Sequence, residues 1–152
     1  MAQGPGEAEF ESFFEEHHAR LRVALVVGLG RDRGAEATAE AWAWAYENWS
    51  RLTAIQYPVP YLYRVGASRT RRRRRRILVE RPAVQHLEVE PGLRAALAAL
   101  TEQQRIAVIL RGAYGWHLTE VAELMGISSS TVNVHAQRGL ERLREELGVH
   151  DG

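Results

Sequence analysis

Residues 118–140 read LTEVAELMGISSSTVNVHAQRGL, and their spacing is that of a helix-turn-helix. Val121 and Ala122 face inward from a short first helix, and the small Ala122 lets a second helix pack close. Gly126 stands where the tight turn needs a positive φ that only glycine takes without cost. Ile127 plugs the corner. Ser128 is placed to cap the second helix, its hydroxyl accepting a backbone N–H left free there. Val132 returns to the core one turn later. The second helix of such a motif lies in the major groove of DNA. The plainer alternative is a pair of antiparallel helices with a glycine turn.

Outward from this stretch the pattern stays helical. The final helix runs to about Leu147, with Leu140, Leu143 and Leu147 inward. Upstream, Thr101 with Gln104 makes a capping box for a helix carrying Ile106, Ile109 and Leu110 inward and stopping near Gly115. Leu93, Ala96, Leu97 and Leu100 mark another helix. Pro82 and Pro91 interrupt a linker over residues 77–92. Before it, a helix from about Tyr61 carries Leu62, Val65 and Gly66 and enters the run Arg71–Arg76. The segment 50–60, with Tyr57-Pro58-Val59-Pro60, breaks the helix ahead of it. An alanine-rich helix spans about Gly34 to Trp49, with Trp42, Tyr46 and Trp49 on one core-facing side and Trp44 off it. Phe10, Phe13, Phe14, His17 and Leu21 form one face of a first helix ended by Gly28 and Gly30. Residues 1–8 read as a disordered leader. The expected fold is all-α: two small lobes, 9–76 and 93–149, joined by the 77–92 linker.

Composition narrows the function. The chain has 152 residues, 45% of them hydrophobic and 26% charged, which suits one domain or two small helical ones. It has no cysteine, so neither a disulfide framework nor a thiolate metal site is available. The histidines His17, His18, His86, His117, His135 and His150 are scattered without ligand spacing, so no metal is expected. No Ser/His/Asp set, glycine-rich phosphate loop or carboxylate pair stands out, so neither an enzyme nor a cofactor is expected. The start of the chain is acidic, and the longest apolar run, Val23 to Leu29, is too short to span a bilayer; a cytoplasmic protein is expected. The net charge of +1 hides an asymmetry: residues 1–50 sum to −5, 51–82 to +9 and 83–152 to −3. Concentrated basic charge points to nucleic acid. All 20 basic residues are arginine, which fits a GC-rich genome.

Two surfaces are candidates for DNA. On the recognition helix, Ser129, Ser130, Asn133, Val134, Gln137 and Arg138 should face the groove. Asn and Gln pair with adenine, Arg with guanine, and Val134 with a thymine methyl. Thr131 and Arg142 suit phosphates. The second surface is Arg64 and Arg69 with the run that starts at Arg71 and Arg72. The run could equally be a frayed, solvated helix end. Tyr57, Tyr61 and Tyr63 are candidates for stacking on unpaired bases, against ordinary packing.

Residues 93–148 resemble the promoter-reading C-terminal domain of sigma-70-type factors, region 4. The resemblance is closest to the extracytoplasmic-function group, of the actinobacterial SigE-like kind. It rests on Leu97-Ala98-Ala99-Leu100, Thr101 to Arg105, Gly115, Glu120 to Ser128, Thr131-Val132 and Arg138. It implies a winged-helix-like DNA-reading lobe. Residues 10–76 resemble the N-terminal sigma domain through Phe10-Glu11-Ser12-Phe13-Phe14, Glu36 to Trp49, and Tyr61-Leu62-Tyr63-Arg64-Val65. That resemblance implies a core RNA polymerase contact at Glu36, Ala39, Glu40, Ala43 and Trp44, and −10 engagement by the 50–60 loop, Arg64 and Arg69. Ala39 and Trp44 depart from the family's Gln and Arg. The implied function is a sigma factor, with core polymerase and promoter DNA as partners and an anti-sigma factor as a further one.

Two other readings compete. Thr131 to His135 also resembles the recognition helix of LuxR-type regulators, so the chain could act on DNA without polymerase, its N-terminal lobe repurposed for dimerisation or ligand response. A decoy that binds polymerase or an anti-sigma factor and not DNA is the third, and the clustered arginines oppose it.

Overall fold

A computed structural model describes residues 5–74 and 90–149. Among these residues there are eight helices and no strand: α1 (Pro5–Leu29), α2 (Arg31–Glu47), α3 (Trp49–Thr53), α4 (Pro58–Arg74), α5 (Pro91–Ala98), α6 (Glu102–Gly112), α7 (Leu118–Met125) and α8 (Ser129–Leu147). The expected all-α class holds, and likeness to a winged helix extends to the helices only. No described helix is long and apolar enough to cross a membrane.

The N-terminal lobe is built on α2, which packs between α1 and α4. Ala37, Ala41 and Ala45 recur every four residues and are fully buried, so the helices approach closely. At Gly66 the approach is backbone to backbone, and a Cβ there would lie 2.4 Å from the Ala37 carbonyl oxygen. Arg33 ties the same pair, donating to the Thr70 hydroxyl at 3.1 Å and to the Ala67 carbonyl at 3.1 Å. In the C-terminal lobe, α8 lies along α6 and crosses it at the buried Gly139. Leu110, Val121 and Val132 are fully buried around that crossing.

Several sequence expectations need correction. Residues 5–8 are the first turn of α1 and not leader, since Pro5 suits a first turn whose N–H groups lack partners anyway. The same argument explains why α4 starts at Pro58 and not at Tyr61. Likewise α5 begins at Pro91, so residues 91 and 92 are not linker; residues 77–89 lie outside the described residues. Trp44 is buried, because α4 covers that side of α2; its ring meets Tyr61 at 5.2 Å. Tyr46, expected in the core, is 59% exposed. The break at Asn48 moves Trp49 onto α3, and Tyr46 is left as an edge-on partner of Phe10. Leu140 and Leu147 are also exposed. The buried stripe of α8 is Val132, Gly139 and Leu143; Leu140 turns off it, and Leu147 is the last residue before the Gly148 cap.

The lobes pack against each other. The apolar residues of α1 divide between the two cores: Leu21, Leu25 and Leu29 go to the N-terminal core, Ala24 and Val27 to the C-terminal one. Arg105 of α6 is buried, and its guanidinium donates to the carbonyls of Val27 at 3.2 Å, Gly28 at 2.6 Å and Leu100 at 3.0 Å. Two of these are carbonyls left open at the C-terminus of α1, where the helix dipole favours a cation. Hydrogen bonds to a charged group contribute about 1.5–3 kcal/mol each. Burial lowers the Arg105 pKa from its ordinary value, while Glu102 and Tyr63 oppose that.

Candidate nucleic-acid interface

The helix-turn-helix takes the form its residues require. Gly126 ends α7 in the left-handed region, at φ 67° and ψ 34°. Ser128 caps α8, its hydroxyl accepting the Thr131 N–H at 3.1 Å. The Ser128 hydroxyl also meets the hydroxyls of Thr131 at 2.7 Å and Ser130 at 3.0 Å, so this first turn is internally tied. At the other end of the motif, Glu120 accepts the His117 backbone N–H at 3.2 Å and pairs with Arg20 of α1. Arg20 also lies over the Trp116 ring, 5.3 Å from its centroid.

The expected groove-facing residues are together on one open face. Ser130, Thr131, Asn133, Val134, Gln137, Arg138 and Arg142 are exposed, and Ser129 is half-buried. Val134 is 41% exposed, which leaves an apolar contact available among polar neighbours. Arg142 pairs with Glu146 at 3.0 Å. Such an exposed pair contributes only about 0.3–0.5 kcal/mol, so phosphate can displace it.

The second expected DNA surface is less open. Arg64 is exposed, but it stands beside the turn of the other lobe: a Cβ at Gly126 would be 3.1 Å from the Arg64 guanidinium and 3.3 Å from Pro60. Arg64, Ser68 and Arg71 of α4 share a 290 Å³ cleft with Glu102, Gln103, Leu124 and Met125 of the C-terminal lobe. Arg69 faces the other way, 3.4 Å from Glu40. Arg71 is exposed; Arg72 is in the last turn of α4, and its side chain lies outside the described residues.

The three tyrosines separate. Tyr57 is 60% exposed and borders the helix-turn-helix at Thr119, Glu123 and Ser129. Tyr61 packs on Trp44. Tyr63 is turned into the lobe interface, where its hydroxyl donates to the Glu102 carboxylate at 3.3 Å. Burial, then the Glu102 charge and that hydrogen bond, push its pKa far above the ordinary tyrosine value. Tyr63 is half-buried at the edge of the 290 Å³ cleft, with its hydroxyl committed to Glu102.

On α2, Ala39 and Ala43 are exposed and Glu36 and Glu40 half-buried, so four of the five expected polymerase-contact residues reach the surface. The fifth, Trp44, does not. Exposed Tyr46 on the same helix was read as core, because it follows Trp42 by four residues, whereas burial falls away at the end of α2. Arg105 was legible as the end of the Thr101-to-Arg105 pattern, but its role as a bridge between lobes carries no local signal.

Residues 92–143 match the family model for Sigma-70, region 4. RNA polymerase sigma factor CarQ of Myxococcus xanthus is 41% identical over 63 residues, covering 39% of this chain and 36% of CarQ. The chain thus matches CarQ over about a third of that protein's length. Among solved structures, the sigma factor RpoE in complex with the anti-sigma factor NepR from Bartonella quintana superposes with a TM-score of 0.62 at 21% identity, covering 93% of this chain and 98% of that one. That likeness is one of fold. Over its C-terminal lobe the chain is similar to sigma-70 region 4, and over nearly its whole length it has the fold of a solved sigma factor.

Proposed function

We propose that this chain is a sigma factor of the extracytoplasmic-function type, acting in the cytoplasm with core RNA polymerase on promoter DNA. The observation that carries this reading is the open face of α8, capped by Ser128 and following the left-handed Gly126, inside the segment similar to region 4. In this reading α8 reads the −35 element. Asn133, Gln137 and Arg138 contact base edges, Val134 meets a thymine methyl, and Thr131 and Arg142 hold phosphates. The 54–57 turn and the arginines of α4 engage the −10 region. The α2 face with Ala39 and Ala43 grips polymerase, and an anti-sigma protein is the regulatory partner. RNA synthesis is the polymerase's chemistry; this chain positions the complex. The all-arginine basic set supports a GC-rich, actinobacterial origin.

Gel filtration with core polymerase tests it. The chain should co-elute, and Ala43→Arg, which puts charge on an exposed α2 position, should abolish co-elution while leaving the helical spectrum unchanged. Glu40→Arg is a poorer probe, because Glu40 already pairs with Arg69. Arg138→Ala should keep co-elution and lower run-off transcription about 10- to 100-fold, the loss of about 1–3 kcal/mol at one base pair.

One observation favours a second reading, a regulator that binds DNA alone. Where the resemblance places a polymerase-gripping arginine, Trp44 is buried. DNA binding without co-elution would decide for it.

A further inference from the structure

We propose that the cleft beside α4 binds a nucleoside polyphosphate, its phosphates on Arg64 and Arg71 and its base against α6 and α7. The cleft has a volume of 290 Å³, and polar and apolar groups both line it. That is the lower end of ligand pockets, which run from about 300 to 1,000 Å³. It admits one ring system with phosphates at the open side and is too small for the acyl chains of a lipid.

The phosphate side comes from α4. Arg64, Ser68 and Arg71 recur at intervals of four and three residues, so they share one face of the helix. Both arginines are exposed, and neither has a hydrogen-bond or ion-pair partner among the described residues. Arg69, on another face, is already tied to Glu40. Guanidiniums hold phosphate oxygens through paired N–H donors. Arg64 and Arg71 stand about 10 Å apart along the helix axis. A run of phosphates spans that interval better than a single one, with the Ser68 hydroxyl between the two cations. Glu102 is the one carboxylate in the lining, and it is engaged: it accepts the Tyr63 hydroxyl, and its charge acts on buried Arg105.

The base side comes from the other lobe. Buried Ile106 and Leu124 and half-buried Met125 give that wall its apolar surface. A thioether is a favourable neighbour for an aromatic ring. Gln103, exposed at the cleft, brings an amide that both donates and accepts, as a base edge does. Inorganic phosphate would leave this wall unused, and a duplex keeps its bases stacked and cannot set one against it. The 360 Å³ cleft at Trp116 lacks the combination, since its arginine, Arg20, is paired with Glu120. A nucleotide bound beside α4 takes the two arginines that the sigma-factor reading gives to DNA, so ligand and DNA exclude each other there. The site itself does not rest on that reading; this consequence does.

Isothermal titration of the full chain with GTP and with ATP tests the site. At least one should bind one to one, with a Kd below about 0.1 mM. Arg64→Ala and Arg71→Ala should each weaken binding about 10-fold, the loss of one charge-assisted contact. Gln103→Glu keeps the shape of the side chain and brings a carboxylate in from α6, away from the α4 surface; it should also weaken binding about 10-fold. Arg22→Ala removes an equal charge from a different cleft and should change binding less than about twofold. All four substitutions fall at exposed positions, so the helical spectrum should stay as it is. Inorganic triphosphate, which lacks the ring, should bind at least about 10-fold more weakly than the nucleotide. No binding of either nucleotide at about 1 mM overturns the proposal. So does equal binding of triphosphate and nucleotide, unchanged binding in Gln103→Glu, or an equal loss in Arg22→Ala, each of which marks a general attraction of arginine for phosphate. Nucleotide binding by a chain that never co-elutes with core polymerase supports the site and sinks the sigma-factor reading; co-elution without nucleotide binding does the reverse.

Discussion

The two surfaces expected to meet DNA are built on opposite terms. The face of α8 is set by neighbours in sequence: a glycine that turns left-handed, a serine that caps, and valine and leucine that anchor the helix from behind. Its candidate reading residues have partners only within α8 and its cap, as Arg142 has in Glu146 and Thr131 in Ser128, and all but half-buried Ser129 are exposed. The face of α4 is set by residues far away in sequence. Arg69 answers to Glu40, Tyr63 to Glu102, and Arg64 stands against the turn at Gly126. A locally built surface is ready wherever its lobe goes, whereas a surface built from distant partners changes when the partners move.

This contrast can be broken or sharpened by experiment. The largest effect should come from Leu110→Ala, which empties a fully buried position and costs about 2–5 kcal/mol. Because Ala24 and Val27 belong to the C-terminal core, amide exchange should quicken in the last two turns of α1 as well as in α5 to α8. Leu62→Ala, equally buried in the other core, should leave α7 and α8 protected. If α1 stayed fully protected in Leu110→Ala, it would belong to the N-terminal lobe alone and the picture of a shared helix would fail.

A middle-sized effect separates the glycines at the two helix crossings. Gly66→Ala drives a methyl to 2.4 Å from the Ala37 carbonyl oxygen, whereas Gly139→Ala meets a side chain first, Val108 at 2.6 Å, with the nearest backbone atom, the Gln104 carbonyl oxygen, at 3.3 Å. Urea unfolding should show a loss of about 3 kcal/mol for the first and about 1 kcal/mol for the second. The reverse order would mean that α6 and α8 are the more rigid pair.

The smallest effect is a pH dependence of the interface. The folded-state pKa of Tyr63 is raised, so the folded chain keeps a proton that the unfolded chain gives up. Stability is then full below the ordinary tyrosine value of 10.0 and falls as pH climbs beyond it, by at most about 1.4 kcal/mol per pH unit. Tyr63→Phe should flatten that part of the alkaline stability curve. A curve of unchanged slope would show that burial and the Glu102 charge do not hold the proton on Tyr63.

Legibility from sequence followed the same division. The capping box at Thr101 and Gln104, the Ser128 cap and the Gly126 turn were all readable, because each is a contact across three or four residues. Misreadings arose where a third helix intervened. Trp44 looked like surface because periodicity shows one buried face, and α2 has neighbours on two sides. Tyr46 looked like core because it shares a face with Trp42, and spacing alone does not show that burial stops before the end of α2. Leu140 and Leu147 are apolar at helical spacing, yet helical spacing cannot say how wide a stripe the partner helices cover.

By itself the sequence determined most of the helices, the caps at Thr101, Gly126 and Ser128, and which residues share the outer face of α8, since helix periodicity and capping act over a turn or two of chain. Only the tertiary structure decided that α1 serves both cores, that Arg105 closes α6 onto the end of α1, and that Tyr63 is spent on Glu102. Those contacts join residues 39 to 78 positions apart. Their geometry depends on how whole helices stack, and no local pattern in the chain encodes that.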